Sequence, residues 1–334
     1  MAQGPLLDLR RPPDLGIPPG RGVRFGSSAD VERSSLITAI ASVERTSEPP
    51  RLRPVARVRE LYAHREVLVN LVRKELKIKY TASVLGAVWS LLNPVVFLAV
   101  FSFVAKVLGN LIPDFPVFLL SGLLAWNFLA TSLHTGSRSV IDNANLVKKM
   151  AFPREILPLS AIGVALFDFV LQSVVLLAFI LISGHGLDVV TIWLYPLAIG
   201  VTIVFTTALA FWVAALNVRY RDVGHLLNLA LLVWFWFTPI VYQGWLVQQK
   251  LATIQILGID AWDLYLLNPA AVIVLAFQRA LYGVGPSGSE PVLPPISLGG
   301  LGLMVIAVLA ASVVLLMLAW RSFFHRSGDF AEEL

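Results

Sequence analysis

The chain has 334 residues, of which 57% are hydrophobic and 14% charged, with a formal charge of +5 and no cysteine. A soluble domain carries about 25% charged residues, so the composition excludes an ordinary soluble fold, and the high hydrophobicity excludes disorder for most of the chain. Without cysteine there is no disulfide or thiolate metal site. The five histidines are scattered with no pair at i,i+4, which argues against a metal centre.

Residues 1–55 hold eight prolines and many arginines and read as a disordered cytoplasmic tail, with room for one short helix around Asp30–Ser42. The first 30 residues lack the apolar region of a signal peptide. Residues 56–82 are different in kind. On a helical wheel Leu61, Leu68, Val69, Leu71, Val72 and Leu76 share one side, and Glu66, Asn70, Arg73, Lys74 and Lys77 lie opposite. Such a basic amphipathic helix suits the cytoplasmic membrane interface; the alternative is a plain juxtamembrane segment that only sets topology.

Six runs then lack Asp, Glu, Lys and Arg for at least 18 residues: Tyr80–Ala105, Phe115–Ser137, Phe169–Leu187, Val189–Val218, Val223–Gln249 and Pro291–Trp320. About 20 apolar residues cross a bilayer as a helix, which satisfies its own backbone groups. The expected fold is therefore an all-α integral membrane protein with six transmembrane helices over residues 83–321, at about 84–108, 115–135, 156–183, 191–216, 225–243 and 298–320. A tail at 322–334 follows.

The first span contains Asn93-Pro94, a kink signal. Spans two and three are joined by a polar loop able to form one short helix, Val140–Met150, ended by Phe152-Pro153. Span three carries Asp168 near its middle. A carboxylate there is costly and faces protein or water. It reads as a proton relay or substrate contact, or as a structural hydrogen bond, and the second reading is preferred because no second intramembrane charge is visible. Span five is rich in aromatics and ends at Thr238-Pro239. About 50 residues then precede span six. They include Ala270–Phe277, too short to span and suited to a re-entrant or interfacial helix.

With the N-terminus cytoplasmic, 23 of the 26 Lys and Arg residues lie inside, and only Lys106, Lys250 and Arg279 lie outside. By the positive-inside rule both termini are cytoplasmic in a multi-pass plasma-membrane protein. This distribution beside apolar runs also argues against a nucleic-acid partner. There is no phosphate-binding P-loop: Gly283-Val-Gly-Pro-Ser-Gly288-Ser289 lacks the lysine. The chain is expected not to hydrolyse ATP alone. Asp260 and Asp263 are the closest approach to a catalytic acid pair, and a solvated helix-end pair is the better reading.

Several strings are more specific. Glu75-Leu-Lys-Ile-Lys-Tyr80 leads to Leu85-Gly86, Trp89 and Asn93-Pro94; Gly122-Leu-Leu-Ala-Trp126-Asn127-Phe128 and Asn143-Ala-Asn-Leu-Val-Lys-Lys149 follow. Then come Phe152-Pro-Arg-Glu-Ile-Leu-Pro158, Arg219-Tyr-Arg-Asp222, Thr238-Pro-Ile-Val-Tyr242 and Leu267-Asn-Pro269. In this order and topology the chain, over about residues 60–320, resembles the ABC-2 type permeases that export O-antigen, teichoic acid and related polysaccharides. The tail before about residue 55 departs from that family by its length.

The resemblance implies a homodimer with two copies of a separate ABC ATPase subunit, which binds ATP and Mg; this chain itself binds no cofactor. It implies a channel between the two subunits for a polysaccharide or lipid-linked glycan. Glu66–Tyr80 would match the family's gate helix, with Arg73, Lys74, Lys77, Lys79 and Tyr80 as its polar residues. Val140–Met150 would match the coupling helix, with Asn143, Leu146, Lys148, Lys149, Phe152, Pro153 and Arg154 contacting the ATPase, although these cations also obey the positive-inside rule. Arg219, Arg221 and Asp222 form the cytoplasmic loop before span five, where Arg221-Asp222 either cap that helix or form a local ion pair. Trp126, Phe128, Trp234, Trp236 and Phe237 are channel candidates, since aromatic faces can hold a sliding sugar chain, but most membrane aromatics pack or anchor at the interface. The rival readings are an ABC-2 exporter of a small lipid or drug, a glycosyltransferase acting on lipid-linked sugars, and a proton-coupled carrier using Asp168.

Overall fold

The computed structural model describes residues 54–81, 86–107, 109, 112–150, 152–256, 258–283 and 291–334. The expected tail and its helix at Asp30–Ser42 lie outside the described residues, apart from Pro54 and Val55, which open the first helix. That helix, α1, covers Pro54–Ala63, and α2 covers Arg65–Thr81. After a 3-10 turn at Gly86–Val88, α3 covers Trp89–Val107, with Pro94 inside it. Helix α4 runs Phe115–Asp142, the short α5 Ala144–Lys149, α6 Ile156–Ser183, α7 Leu194–Arg219 and α8 Val223–Trp236. Next come α9 (Gly244–Leu251), a hairpin of β1 (Gln255–Ile256) and β2 (Ile259–Asp260), α10 (Ala261–Leu266), α11 (Pro269–Leu281), α12 (Leu298–Arg326) and α13 (Phe330–Glu333).

The architecture is all-α in its bulk, and five helices are long and apolar enough to cross a membrane: α3, α4, α6, α7 and α12. The protein is thus a multi-pass membrane protein. The expected fifth span differs. It is helical for only 14 residues, Val223–Trp236, or about 21 Å, short of a bilayer core of about 30 Å. The apolar run continues, but the chain turns at Thr238-Pro239-Ile240, where proline offers no backbone donor. The turn is wedged in place. Gln278 Nε2 donates to the Pro239 carbonyl at 2.9 Å, and a Cβ at Gly122 would lie 3.1 Å from that nitrogen and 3.4 Å from Ile240 Cα. Gly122 therefore lets the turn approach α4.

Helix α4 is the centre of the bundle and packs on α6, α7 and α11, while α12 lies along α7. Small residues allow the close approach expected between membrane helices: a Cβ at Gly136 on α4 would lie 3.2 Å from Ala210 Cβ on α7. Helix α11 is buried along nearly its whole length. Its start is fixed by Asn268, whose side chain accepts from the Ala270 N–H and from Trp234 Nε1 and donates to the Phe237 carbonyl. The Leu267-Asn-Pro269 string therefore caps α11 and clamps the end of α8. By contrast, only 6% of the stretch Ser90–Val107 in α3 is buried, so that helix presents most of its apolar surface outward. It meets α8 through Phe97–Phe235 and Phe101–Trp236 ring contacts.

A second apolar cluster closes one end of the bundle. It joins Leu71 of α2, Val140 of α4, Val147 of α5, Ile156 and Leu157 of α6, Phe211 and Val218 of α7, Trp320 and Phe323 of α12, and Phe330 of α13. This end also carries Lys148, Lys149, Arg154, Arg219 and Arg221, and we call it the basic end.

Candidate functional site

The expected single helix Val140–Met150 is divided. Helix α4 continues to Asp142, Asn143 breaks it at φ −107° and ψ 26°, and α5 restarts at Ala144. Asn143 Nδ2 donates back to the Ser139 carbonyl at 2.9 Å, which satisfies an acceptor left free at a helix end. On α5 the chemistry sorts by side. Val147 is buried in the basic-end cluster, Leu146 and Phe152 pack against it, and Lys148, Lys149 and Met150 are exposed. The short helix thus offers two cations and a thioether outward from an apolar footing. Helix α13 packs against α5, with Phe330 fully buried against Phe323.

Pro153 is buried, and Arg154 carries an inner guanidinium nitrogen with no hydrogen-bond partner among the described residues. Burial lowers its pKa, partly offset by Asp329 and Glu155. The next residue, Glu155, was absent from the expected set, yet it is the best-connected side chain of the segment. It is fully buried. Arg57 of α1 grips it with two hydrogen bonds, Nε to Oε1 at 2.8 Å and the second arm to Oε2 at 2.7 Å. Trp320 Nε1 of α12 donates to Oε1 at 3.2 Å. Arg57 also bonds Glu60 at 2.7 Å and lies 4.9 Å from the Phe324 ring. Burial alone would lower the Arg57 pKa, but the hydrogen bonds and negative charges of Glu155 and Glu60 together outweigh it and raise it.

The basic amphipathic helix α2 turns its apolar side to α6. Leu71 is buried, Leu68, Val72 and Leu76 are half-buried, and Arg73, Lys74 and Lys77 are exposed. At its far end the polar residues converge on Asp168. Lys79 Nζ lies 2.5 Å from Asp168 Oδ2, the Tyr80 hydroxyl donates to Oδ1, and Ser90 Oγ donates to Oδ1 at 3.0 Å. Burial, and then the bond to Asp168, raise the Tyr80 pKa, so the hydroxyl stays protonated. Asp168 therefore has a counter-charge from outside the spans, which sequence reasoning missed because it laid the amphipathic helix flat.

Between α2, α4, α6 and α8 lies a polar cleft of about 400 Å³, lined among others by Glu75, His134, Arg138, Asp142, Ser160 and Asn228. Arg221 lines a neighbouring cleft with Asn217 and His225. Asp222 is the N-cap residue just before α8 and makes no side-chain capping bond, and the Arg219 guanidinium lies 5.5 Å from the Tyr220 ring. The aromatic candidates separate clearly. Trp126 and Phe128 are buried within the subunit, Trp126 against Trp234 and Phe235 and Phe128 against Phe169. Trp234 is half-buried and bonded to Asn268. Trp236 and Phe237 are 55% and 63% exposed at the end of α8. Asp260 and Asp263 are both exposed.

An all-α bundle with five helices long and apolar enough to cross a membrane defines a multi-pass membrane protein. Residues 66–254 match the sequence model of the family described as ABC-2 type transporter. The chain is 33% identical over 281 residues, 83% of its own length and 98% of the relative's, to "O-antigen export system permease protein RfbA" of Myxococcus xanthus. Two proteins of the same name from Klebsiella pneumoniae are 30% and 31% identical over 216 and 215 residues, 64% of this chain and 79% of each relative. The chain belongs to the ABC-2 type transporter family.

Proposed function

We propose that the chain is the permease subunit of an ATP-driven exporter that moves a polysaccharide or lipid-linked glycan out of the cytoplasm. One observation carries the reading: the alignment extends over 98% of a relative whose name is that of an O-antigen export permease. The geometry agrees with it. The exposed α5 and the arm α1–α2 both join α6, so a push at one reaches the other through a single helix. Export of a small lipid or drug has no comparable support.

In this reading the basic end is cytoplasmic, as are both termini. Helix α5, with Phe152 and Arg154, seats on a separate ATPase subunit that binds ATP and Mg. The arm α1–α2 is the gate. Two copies of the chain pair with two ATPases, and the outward apolar surfaces of α3 and α8 lie where a second copy or the translocating glycan meets them. Helix α8 with the turn after it serves as the fifth of six crossings, and the buried α11 is re-entrant. Trp236 and Phe237 are the aromatics placed to touch a sugar chain; Trp126 and Phe128 shape the helix packing behind them.

The test is genetic. A strain lacking the chain is expected to lose surface glycan and accumulate it inside, with recovery on re-expression only when the ATPase subunit is present. Unchanged surface glycan in the deletion strain would contradict the proposal.

A further inference from the structure

Helix α6 holds the arm at three successive points. Glu155, one residue before α6 begins, is bound by Arg57. Eight residues on, Gly163 meets Val72: a Cβ there would lie 2.9 Å from Val72 Cγ2. Five residues further, Asp168 is bound by Lys79 and Tyr80. The order 57, 72, 79 on the arm follows the order 155, 163, 168, so the arm runs alongside α6 in the same sense for about 20 Å. Both end fastenings are charge-assisted, which makes them stronger than neutral hydrogen bonds. The first leaves a fully buried carboxylate without its counter-charge if it opens. The middle contact interlocks a side chain with a glycine backbone.

We infer that the arm and α6 move as one body during transport, with Glu155 as the positioning residue that fastens them. Glu155 follows directly on Phe152-Pro153-Arg154, so displacement of that segment enters α6 and the arm together. The boundary that opens is then the polar cleft, which Glu75 of the arm and Ser160 of α6 line on one side and Arg138 of α4 and Asn228 of α8 on the other. This inference rests on the gate and coupling roles proposed above.

This chain has no native cysteine to compete with an engineered pair. A Cβ at position 163 would lie 4.0 Å from Val72 Cβ, inside the disulfide range of about 3.5–4.5 Å. The full transporter, with its ATPase, carries Val72→Cys and Gly163→Cys and is assayed reduced and oxidised for glycan export per ATP hydrolysed. The oxidised complex is expected to export within about twofold of the reduced one. Glu155→Gln, which keeps the shape but loses the charge, is expected to assemble and hydrolyse ATP yet export at least tenfold less per ATP. The oxidised pair is expected to restore export in that background. Loss of export on oxidation, or full export per ATP in Glu155→Gln, would overturn the inference. A wild-type complex that hydrolyses ATP but exports no glycan would instead overturn the transport reading, and this one with it.

Discussion

Arg57 grips Glu155 across 98 residues of sequence through two parallel hydrogen bonds of 2.8 and 2.7 Å. Removing one partner of a buried ion pair costs about 3–5 kcal/mol, whereas replacing both by apolar groups of similar size is often neutral. Arg57→Ala is therefore expected to lower the unfolding temperature of the purified protein in detergent far more than Arg57→Leu combined with Glu155→Leu. Equal losses would show that the pair acts only through its packing.

Asp168 is enclosed by Lys79, Tyr80 and Ser90, the surroundings of a fastening rather than of a proton wire. Asparagine can still accept from Tyr80 but loses the attraction to Lys79. Asp168→Asn is expected to reduce export several-fold, by the same factor at pH 6 and pH 8. Transport assays in membrane vesicles across that range decide the matter. A wild-type pH dependence that Asp168→Asn abolishes would revive the proton-coupled carrier.

The aromatic residues divide between packing and surface. Truncating a buried tryptophan costs about 3–5 kcal/mol, so Trp126→Ala is expected to destabilise the protein and lower its yield. Trp236 and Phe237 touch mainly the exterior. Their joint replacement by Ala should leave the thermal midpoint within about 2 °C (a surface change is usually within about 0.5 kcal/mol) while reducing export severalfold. Normal export from the double variant would remove them from the glycan path.

Much of this fold can be read directly from charge spacing. Helix α6 begins after Glu155 and ends before Gly184, the bounds expected for the third span at 156–183. Leu298, the first residue of α12, was likewise the expected start of span six. The fifth expected span is helical only over Val223–Trp236, which its sequence does not announce, because Trp234–Phe237 and the residues after it are apolar whether or not they are helical. What ends the helix is a tertiary wedge of Gly122, Gln278 and Pro239. The division of the coupling segment at Asn143 depends on a bond to Ser139 that a polar loop does not announce. The pairing of Lys79 with Asp168, like that of Arg57 with Glu155, crosses more than 80 residues and needs the arm to stand along α6 instead of lying flat. The exposure of Lys148 and Lys149 was legible, because two adjacent lysines in a polar loop seek water. Glu155 carried no local signal beyond its place in the Phe152-Pro-Arg-Glu string.

The central claim is that this chain transduces ATP energy supplied by another subunit. The most direct measurement is ATP hydrolysis by the purified chain alone, then with its ATPase subunit, in lipid nanodiscs with and without the glycan. The account predicts no hydrolysis from the chain alone, and hydrolysis stimulated by glycan once the partner is bound. Robust hydrolysis by the isolated chain would contradict it.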